Sequence, residues 1–252
     1  MGHQTSARRI GGLLFDKDGT LFDFAATWAV VTDMVLAELA PDAPTAAAMG
    51  RAVGYDPRTR RFAPGSAIVA GTLGDNAALW APFRPDLGAG RIAELAGRIT
   101  DEAVSGGALV PAHPDLAGLL AQLRAEGYRL GLATNDNEAA ARHQLRVAGV
   151  LDAFDWIAGA DSGHGGKPGP GMLLAFARDF GLDPAEVAMI GDSLHDMAMA
   201  EAAGLRVGVL TGPAVAADLE HAADVVLDSI AALPALLARL DSDRDSRKRD
   251  MA

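Results

Sequence analysis

Two aspartates stand one residue apart at the end of an apolar run, in the segment LLFDKDGTL at residues 13–21. On an extended backbone, Asp16 and Asp18 project to the same side because successive side chains alternate. Two carboxylates so placed suit nucleophilic attack and proton transfer, provided that their surroundings differ. A tight turn built from Asp and Gly explains the same letters more simply, so the rest of the chain has to decide.

Other polar side chains also follow apolar runs. Thr134 and Asn135 come after YRLGLA, Lys167 lies in GHGGKPGP, and Asp192 and Asp196 lie in GDSLHD. Mg²⁺ prefers hard oxygen ligands, and it allows a phosphate dianion to approach carboxylates that would otherwise repel it. A hydroxyl and an ammonium stabilise charge on the phosphate oxygens. The combined set favours transfer of a phosphoryl group to an aspartate.

These residues need a scaffold that brings distant segments together. Short apolar runs, typical of parallel strands buried on both faces, occupy residues 10–15, 128–133, 154–158, 187–190, 206–210 and 223–227. Helical patterns at 114–126, 138–148 and 172–180 lie between them. Strand alternating with helix predicts an α/β fold with a doubly wound, Rossmann-like parallel sheet. Such sheets bind ligands at the carboxyl ends of their strands.

Residues 24–107 do not follow this alternation of strands and helices. They are rich in Ala, show helical spacing at 28–40 and 92–104, lack strand alternation, and contain a Pro/Gly/Arg stretch at 54–71. We predict an α-helical cap inserted at 24–107, with an α/β core formed by residues 1–23 and 108–240. The charged tail at 241–252 has no apolar face, and we predict that it is disordered.

Composition excludes several function classes. The net charge of −11 argues against binding to nucleic acid or to an anionic membrane. The absence of cysteine excludes disulfides and thiolate zinc sites. No apolar run has the length of a membrane-spanning helix, so we expect a cytoplasmic protein. Abundant Ala and Gly suggest a GC-rich bacterial genome, and the sequence leaves monomer and dimer open.

Four motifs, in order along the chain, resemble those of the haloacid dehalogenase superfamily. They are DKDGT at 16–20, LATN at 132–135, GKP at 166–168 and GDSLHD at 191–196. The similarity is to the phosphatases that carry a helical cap after the first motif, with phosphoglycolate phosphatases as the nearest analogue. Dehalogenases of the superfamily lack an aspartate two residues after the nucleophile, so Asp18 favours phosphoryl transfer.

The resemblance implies a role for each carboxylate. Asp16 is the expected nucleophile and a Mg²⁺ ligand. Asp18 is the expected general acid and base, and its backbone carbonyl binds the metal. Asp192 completes the metal site. Asp196 is expected to support it by orienting Lys167 or a metal-bound water.

The resemblance also implies a phosphate-binding set. Thr134 and Lys167 would hold the phosphate, with help from the backbone amide of Asn135. Lys17 departs from the commoner apolar or aromatic residue, is expected to point away from Asp16, and receives no role. His164 and His195 lie beside motifs and also receive none.

These expectations describe a Mg²⁺-dependent phosphatase that acts on a small phosphorylated metabolite through an aspartyl-phosphate. A phosphomutase that uses the same site, and a non-catalytic phospholigand-binding protein, are the alternatives. In the cap, Trp28 is either a core residue or a residue that closes over the substrate. One arginine among Arg58, Arg60 and Arg61 could contact the leaving group.

Overall fold

The computed structural model describes residues 9–63 and 65–250. Its centre is a parallel six-stranded sheet with the strand order β5-β4-β1-β6-β7-β8. The strands are β1 (Gly12–Phe15), β4 (Arg129–Ala133), β5 (Trp156–Ala158), β6 (Val187–Gly191), β7 (Leu205–Val209) and β8 (Val225–Leu227). The predicted fold class is confirmed, and each strand overlaps one of the predicted apolar runs.

Both faces of the sheet are buried, which explains the near-continuous apolar runs. Leu13 and Phe15 of β1 pack into one apolar cluster, together with helix α6 (Leu116–Ala125) and helix α11 (Leu233–Asp250). Leu14 packs into a cluster on the other face with Phe176, in helix α8 (Gly171–Asp179). The alternation along β1 therefore assigns successive side chains to opposite layers.

The remaining core helices are α7 (Glu138–Val147), α9 (Leu194–Met199) and α10 (Ala216–Ala222). Side chains fix several helix starts. Asp115 accepts a hydrogen bond from the Gly118 amide at the start of α6, and Ser193 and Asp196 form a reciprocal capping box at the start of α9. Of the described helices, none combines the length and apolar character needed to cross a membrane.

The predicted cap contains helices α1 (Phe24–Leu39), α2 (Ala43–Ala52), α3 (Ala67–Ala70), α4 (Leu73–Trp80) and α5 (Gly88–Ala103). A separate apolar cluster, drawn from residues 29–103, lies among them. The expectation of a strand-free segment was wrong, because β2 (Tyr55–Asp56) pairs antiparallel with β3 (Arg61–Phe62). Strands of two residues are too short to show alternation in the sequence.

The predicted disorder of the tail was wrong as far as Asp250, because α11 continues to that residue. Leu233, Leu236 and Leu237 anchor the first turns of the helix in the core. Beyond them, Arg244 pairs with Asp241 one turn away at 3.4 Å. A helix that is already nucleated by packing propagates through a polar segment at low cost. Residues 251–252 and 1–8 lie outside the described residues.

Candidate active site

Three predicted site residues follow three neighbouring strands. Asp16 follows β1, Thr134 follows β4 and Asp192 follows β6, and the central position of β1 places Asp16 between the other two. The amide of Asp16 donates to the Ile190 carbonyl at 2.8 Å, which extends the sheet ladder to this residue. All three side chains are buried. The sheet itself therefore gathers two carboxylates and a hydroxyl.

Lys167 reaches this group from the loop after β5. The side chain of Asn135 fixes the loop: its Oδ1 accepts from the Lys167 amide at 2.7 Å, and its Nδ2 donates to the Lys167 carbonyl at 3.1 Å. The Lys167 ammonium contacts Asp16 Oδ1 and donates to Asp196 Oδ1 at 2.7 Å. Burial lowers the pKa of Lys167, but Asp16 and Asp196 more than offset this effect, so the pKa is raised.

Asp16, Asp192 and Asp196 form a compact carboxylate cluster, with one oxygen of each lying within 4.8 Å of the others. Burial raises the pKa of Asp16 to about 6, against the opposing effect of Lys167. Burial and the neighbouring Asp16 also raise the pKa of Asp192 well above its ordinary range. Concentrated negative charge on hard oxygens suits a divalent cation such as Mg²⁺.

The oxygens of Asp196 are already bonded within the chain. Besides the contact with Lys167, Asp196 Oδ2 accepts from the Ser193 amide at 3.0 Å and from its hydroxyl at 2.6 Å. Asp196 therefore links the start of α9 to the Lys167 ammonium, as the prediction that it orients Lys167 requires. Asp16 and Asp192 remain the better candidates for metal ligands.

Two glycines allow the backbone to wrap closely around Asp192. A Cβ atom at Gly19 or at Gly212 would collide with the Asp192 carboxylate, and Gly19 also has a φ of +84°. Thr211 links the two loops by donating from its hydroxyl to the Gly19 carbonyl at 2.6 Å. The DKDGT turn thus holds Asp192 in place.

Asp18 lies in different surroundings from Asp16. Its Oδ1 accepts from the indole nitrogen of Trp28 at 2.9 Å, and its Oδ2 lies 2.7 Å from the Lys17 ammonium. Asp18 retains some exposure whereas Asp16 is buried. The two neighbouring carboxylates therefore contact different cations and differ in solvent access, which is the condition for separate chemical roles.

A cavity of about 710 Å³ lies between the strand ends and the helices of the predicted cap. Every residue predicted for catalysis, phosphate binding or metal binding lines it; these residues are Asp16, Asp18, Thr134, Asn135, Lys167 and Asp192. The predicted site residues therefore share one cavity.

Sequence comparison identifies the family. The family model described as haloacid dehalogenase-like hydrolase matches residues 10–204. The chain belongs to the haloacid dehalogenase-like hydrolases. A phosphoglycolate phosphatase of Cereibacter sphaeroides is 42% identical over 122 residues, which make up 48% of this chain and 55% of that protein. One from Nitrosospira multiformis is 41% identical over 96 residues, or 38% of this chain and 42% of that protein. The chain spans about half the length of these curated relatives.

Solved structures share the fold over almost the whole chain. The structure of a predicted phosphoglycolate phosphatase from Haemophilus somnus has a TM-score of 0.68 at 22% identity, covering 92% of this chain and 99% of its own. A haloacid dehalogenase family hydrolase from Deinococcus radiodurans, solved with bound phosphate and sodium, has a TM-score of 0.65 at 26% identity, covering 91% and 96%. The family fold therefore extends through both the core and the inserted helices.

Within this haloacid dehalogenase-like site, sequence reasoning missed Lys17. Its side chain is fully buried, and besides Asp18 it contacts Asp136 at 3.3 Å and Gln144. Burial lowers the pKa of Lys17, but Asp18 and Asp136 more than offset this effect, so the pKa is raised. The sequence offered one signal for a role of Lys17, which was its charge. A lysine at a position that is usually apolar needs buried partners for its ammonium.

The structure also decides among the residues that were left open. Trp28 lines the cavity, which agrees with the interpretation that it faces the substrate. Arg58, Arg60 and Arg61 do not line it, and Arg60 pairs with Asp33 at 2.9 Å, so the hypothesis of an arginine at the leaving group was wrong.

The two histidines beside the motifs lie in different places. His164 stacks on the ring of Trp156, with 5.8 Å between ring centroids, whereas His195 is exposed and lines the cavity. The contact of His164 is a packing contact outside the cavity lining.

Proposed function

We propose that this protein is a Mg²⁺-dependent phosphatase that hydrolyses a small phosphorylated metabolite through a phosphorylated Asp16. The observation that carries the proposal is the convergence of Asp16, Asp18, Lys167 and Asp192 on one cavity at adjacent strand ends. Family membership supports the same chemistry. The bacterial relatives are named phosphoglycolate phosphatases, so phosphoglycolate is the reference substrate for an assay.

In the first half-reaction, a carboxylate oxygen of Asp16 attacks phosphorus. The bond from phosphorus to the leaving oxygen breaks, and Asp18 donates its proton to that oxygen. The Thr134 hydroxyl and the Lys167 ammonium hold the phosphate oxygens and stabilise their charge. The products of this step are the free alcohol and phosphorylated Asp16.

In the second half-reaction, Asp18 accepts a proton from a water molecule as the water oxygen attacks phosphorus. The bond between Asp16 and phosphorus breaks, which releases inorganic phosphate and restores both aspartates to their starting states. Hydrogen bonds from Trp28 and Lys17 hold Asp18 in one position for both transfers.

The residues present fit a magnesium ion, because the buried cluster gathers hard oxygen ligands from three carboxylates, two of which share the Lys167 ammonium. Burial also raises the pKa values of Asp16 and Asp192. The carboxylates of Asp16 and Asp192 and the backbone carbonyl of Asp18 would hold the ion. When bound, Mg²⁺ neutralises carboxylate charge and lets a phosphate dianion approach.

The test is to trap phosphorylated Asp16. The protein is mixed with Mg²⁺ and p-nitrophenyl phosphate, quenched in acid and reduced with borohydride, which converts an aspartyl-phosphate to homoserine for detection by mass spectrometry. We expect homoserine at position 16, release of inorganic phosphate, and loss of both in Asp16→Asn and after chelation. Turnover that persists in Asp16→Asn would refute the proposal. With a hexose phosphate in place of p-nitrophenyl phosphate, isomer formation without phosphate release would instead identify a phosphomutase.

A further inference from the structure

The cap side of the cavity is apolar. Its wall comes mainly from α1, α3, α4 and α5 and includes Phe24, Val31, Val35, Ile68, Leu73 and Trp80. A volume of about 710 Å³ suits a ligand much larger than phosphoglycolate, which contains only two carbons. A leaving group that faces this wall therefore binds most favourably when it has an apolar body that the wall can bury.

The charges that line the cavity disfavour a second anion. Among the described residues, Lys167 is the only lysine or arginine in the lining, and Asp16 and Asp196 already pair with it. Of the described residues that line the cap side, only Asp101 has a charged side chain, and it is a carboxylate. His143 and His195 also line the cavity, but both belong to the core segments. A carboxylate on the leaving group would thus face a wall that offers it no cation.

Among the described residues of the cap wall, Asn76 holds a buried polar atom that lacks a partner. Asn76 is 7% exposed and lines the cavity, but its Oδ1 atom is shielded from the cavity and has no hydrogen-bond partner. A buried acceptor without a partner costs free energy, which a donor on the ligand recovers when the amide turns about the Cβ–Cγ bond and presents Oδ1 to the cavity. A hydroxyl or amino hydrogen on the leaving group supplies such a donor.

We propose that the substrate is a phosphate monoester of an alcohol that has an apolar body and a hydrogen-bond donor for Asn76, and that lacks a carboxylate. This inference rests on the proposed phosphatase function, and it separates this protein from the substrate named for its relatives. The phosphate binds at the strand ends, the apolar body packs against the cap wall, and the donor reaches Asn76 Oδ1.

The test compares matched substrates with the full chain and Mg²⁺. Hexyl phosphate, its ω-hydroxy derivative, its ω-carboxy derivative and phosphoglycolate are ranked by kcat/KM, with p-nitrophenyl phosphate as a general phosphatase substrate. We expect the ω-hydroxy ester to exceed the ω-carboxy ester and phosphoglycolate by about tenfold or more, since one hydrogen bond and one unpaired charge separate them.

Two variants assign the effect to the cap wall. In Asn76→Leu, the kcat/KM ratio of the ω-hydroxy ester to hexyl phosphate should fall to about one, because the acceptor is removed. In Asp101→Lys, the ratio of the ω-carboxy ester to the ω-hydroxy ester should rise about tenfold, with Asp101→Asn intermediate. Each ratio is internal to one variant, so a loss of folded protein cancels.

The outcomes separate the two proposals. Hydrolysis of p-nitrophenyl phosphate together with a preference for phosphoglycolate or the ω-carboxy ester would overturn the substrate inference and leave the phosphatase standing. No hydrolysis of any ester would overturn the proposed function itself. Ratios that stay unchanged in both Asn76→Leu and Asp101→Lys would also overturn the substrate inference.

Discussion

At the scale of single residues, each aspartate of the first motif contacts a different buried lysine. Lys167 contacts Asp16, and Lys17 contacts Asp18. Each lysine is shared with a further carboxylate, Asp196 or Asp136. Two carboxylates that are neighbours in sequence thereby belong to different ion-pair networks, as the proposed roles of nucleophile and proton donor require.

Lys17 gives the sharpest prediction at this scale. Lys17→Met should lower kcat/KM for hexyl phosphate by about tenfold or more, because an acid that is no longer held in place protonates an alkoxide poorly. For p-nitrophenyl phosphate the loss should be smaller, since nitrophenolate leaves without a proton. Steady-state kinetics on both substrates measures the split.

A double-mutant cycle provides the control. In an Asp18→Asn background, Lys17→Met should cause no further loss on either substrate, because the two residues act through one group. Equal losses on both substrates, or full additivity in the cycle, would show that Lys17 supports the fold rather than the position of Asp18.

At the scale of secondary structure, the start of helix α9 is part of the site. The capping box joins Ser193 and Asp196, and the second oxygen of Asp196 holds Lys167 at 2.7 Å. The hydrogen bonds that begin the helix therefore also fix the position of the lysine that is proposed to bind phosphate.

Ser193→Ala should lower the free energy of unfolding by about 1 kcal/mol through the lost cap, and it should also lower kcat/KM by freeing Asp196. Asp115→Ala is the matched control, because Asp115 caps α6 by accepting from the Gly118 amide at 2.9 Å and lies outside the cavity lining. We expect a similar loss of stability there without the kinetic effect. Denaturant unfolding and kinetics measure the two quantities, and equal kinetic losses would contradict the link.

At the scale of the whole molecule, the buried carboxylate cluster makes folding stability depend on pH. Burial raises the pKa of Asp16 from its usual 3.8 to about 6, so the folded protein binds a proton there more tightly than the unfolded chain does. The contribution of Asp16 to stability therefore falls as pH rises from about 4 to 6, by about 3 kcal/mol in total. A bound cation would remove much of this penalty.

In the presence of a chelator, Asp16→Asn should be more stable than the wild type at pH 7, by up to about 3 kcal/mol, and the gap should narrow toward pH 4. Urea unfolding of both proteins at several pH values measures the gap. A gap that does not change with pH would rule out the titration of Asp16 as its source.

Apolar periodicity alone predicted the parallel sheet and its flanking helices, because strand and helix preferences depend on neighbours within a few positions. The motif residues, and the strand ends that carry them, followed from the same local pattern. Two predictions from the local pattern were wrong. The short β2–β3 hairpin is too brief to show alternation, and the tail is helical because packing of Leu233 and Leu236 nucleates α11.

The tertiary structure alone decided which distant residues meet. Placing β1 between β4 and β6 brings Asp16 together with Asp192, and packing of α7 against the sheet gives Lys17 its partner Gln144, 127 positions along the chain. The same holds for the apolar cap wall and the unpaired Asn76. Residue type and spacing determined the available chemistry, whereas strand order and long-range packing determined the environment of each group, since burial and contact arise only when the chain has folded.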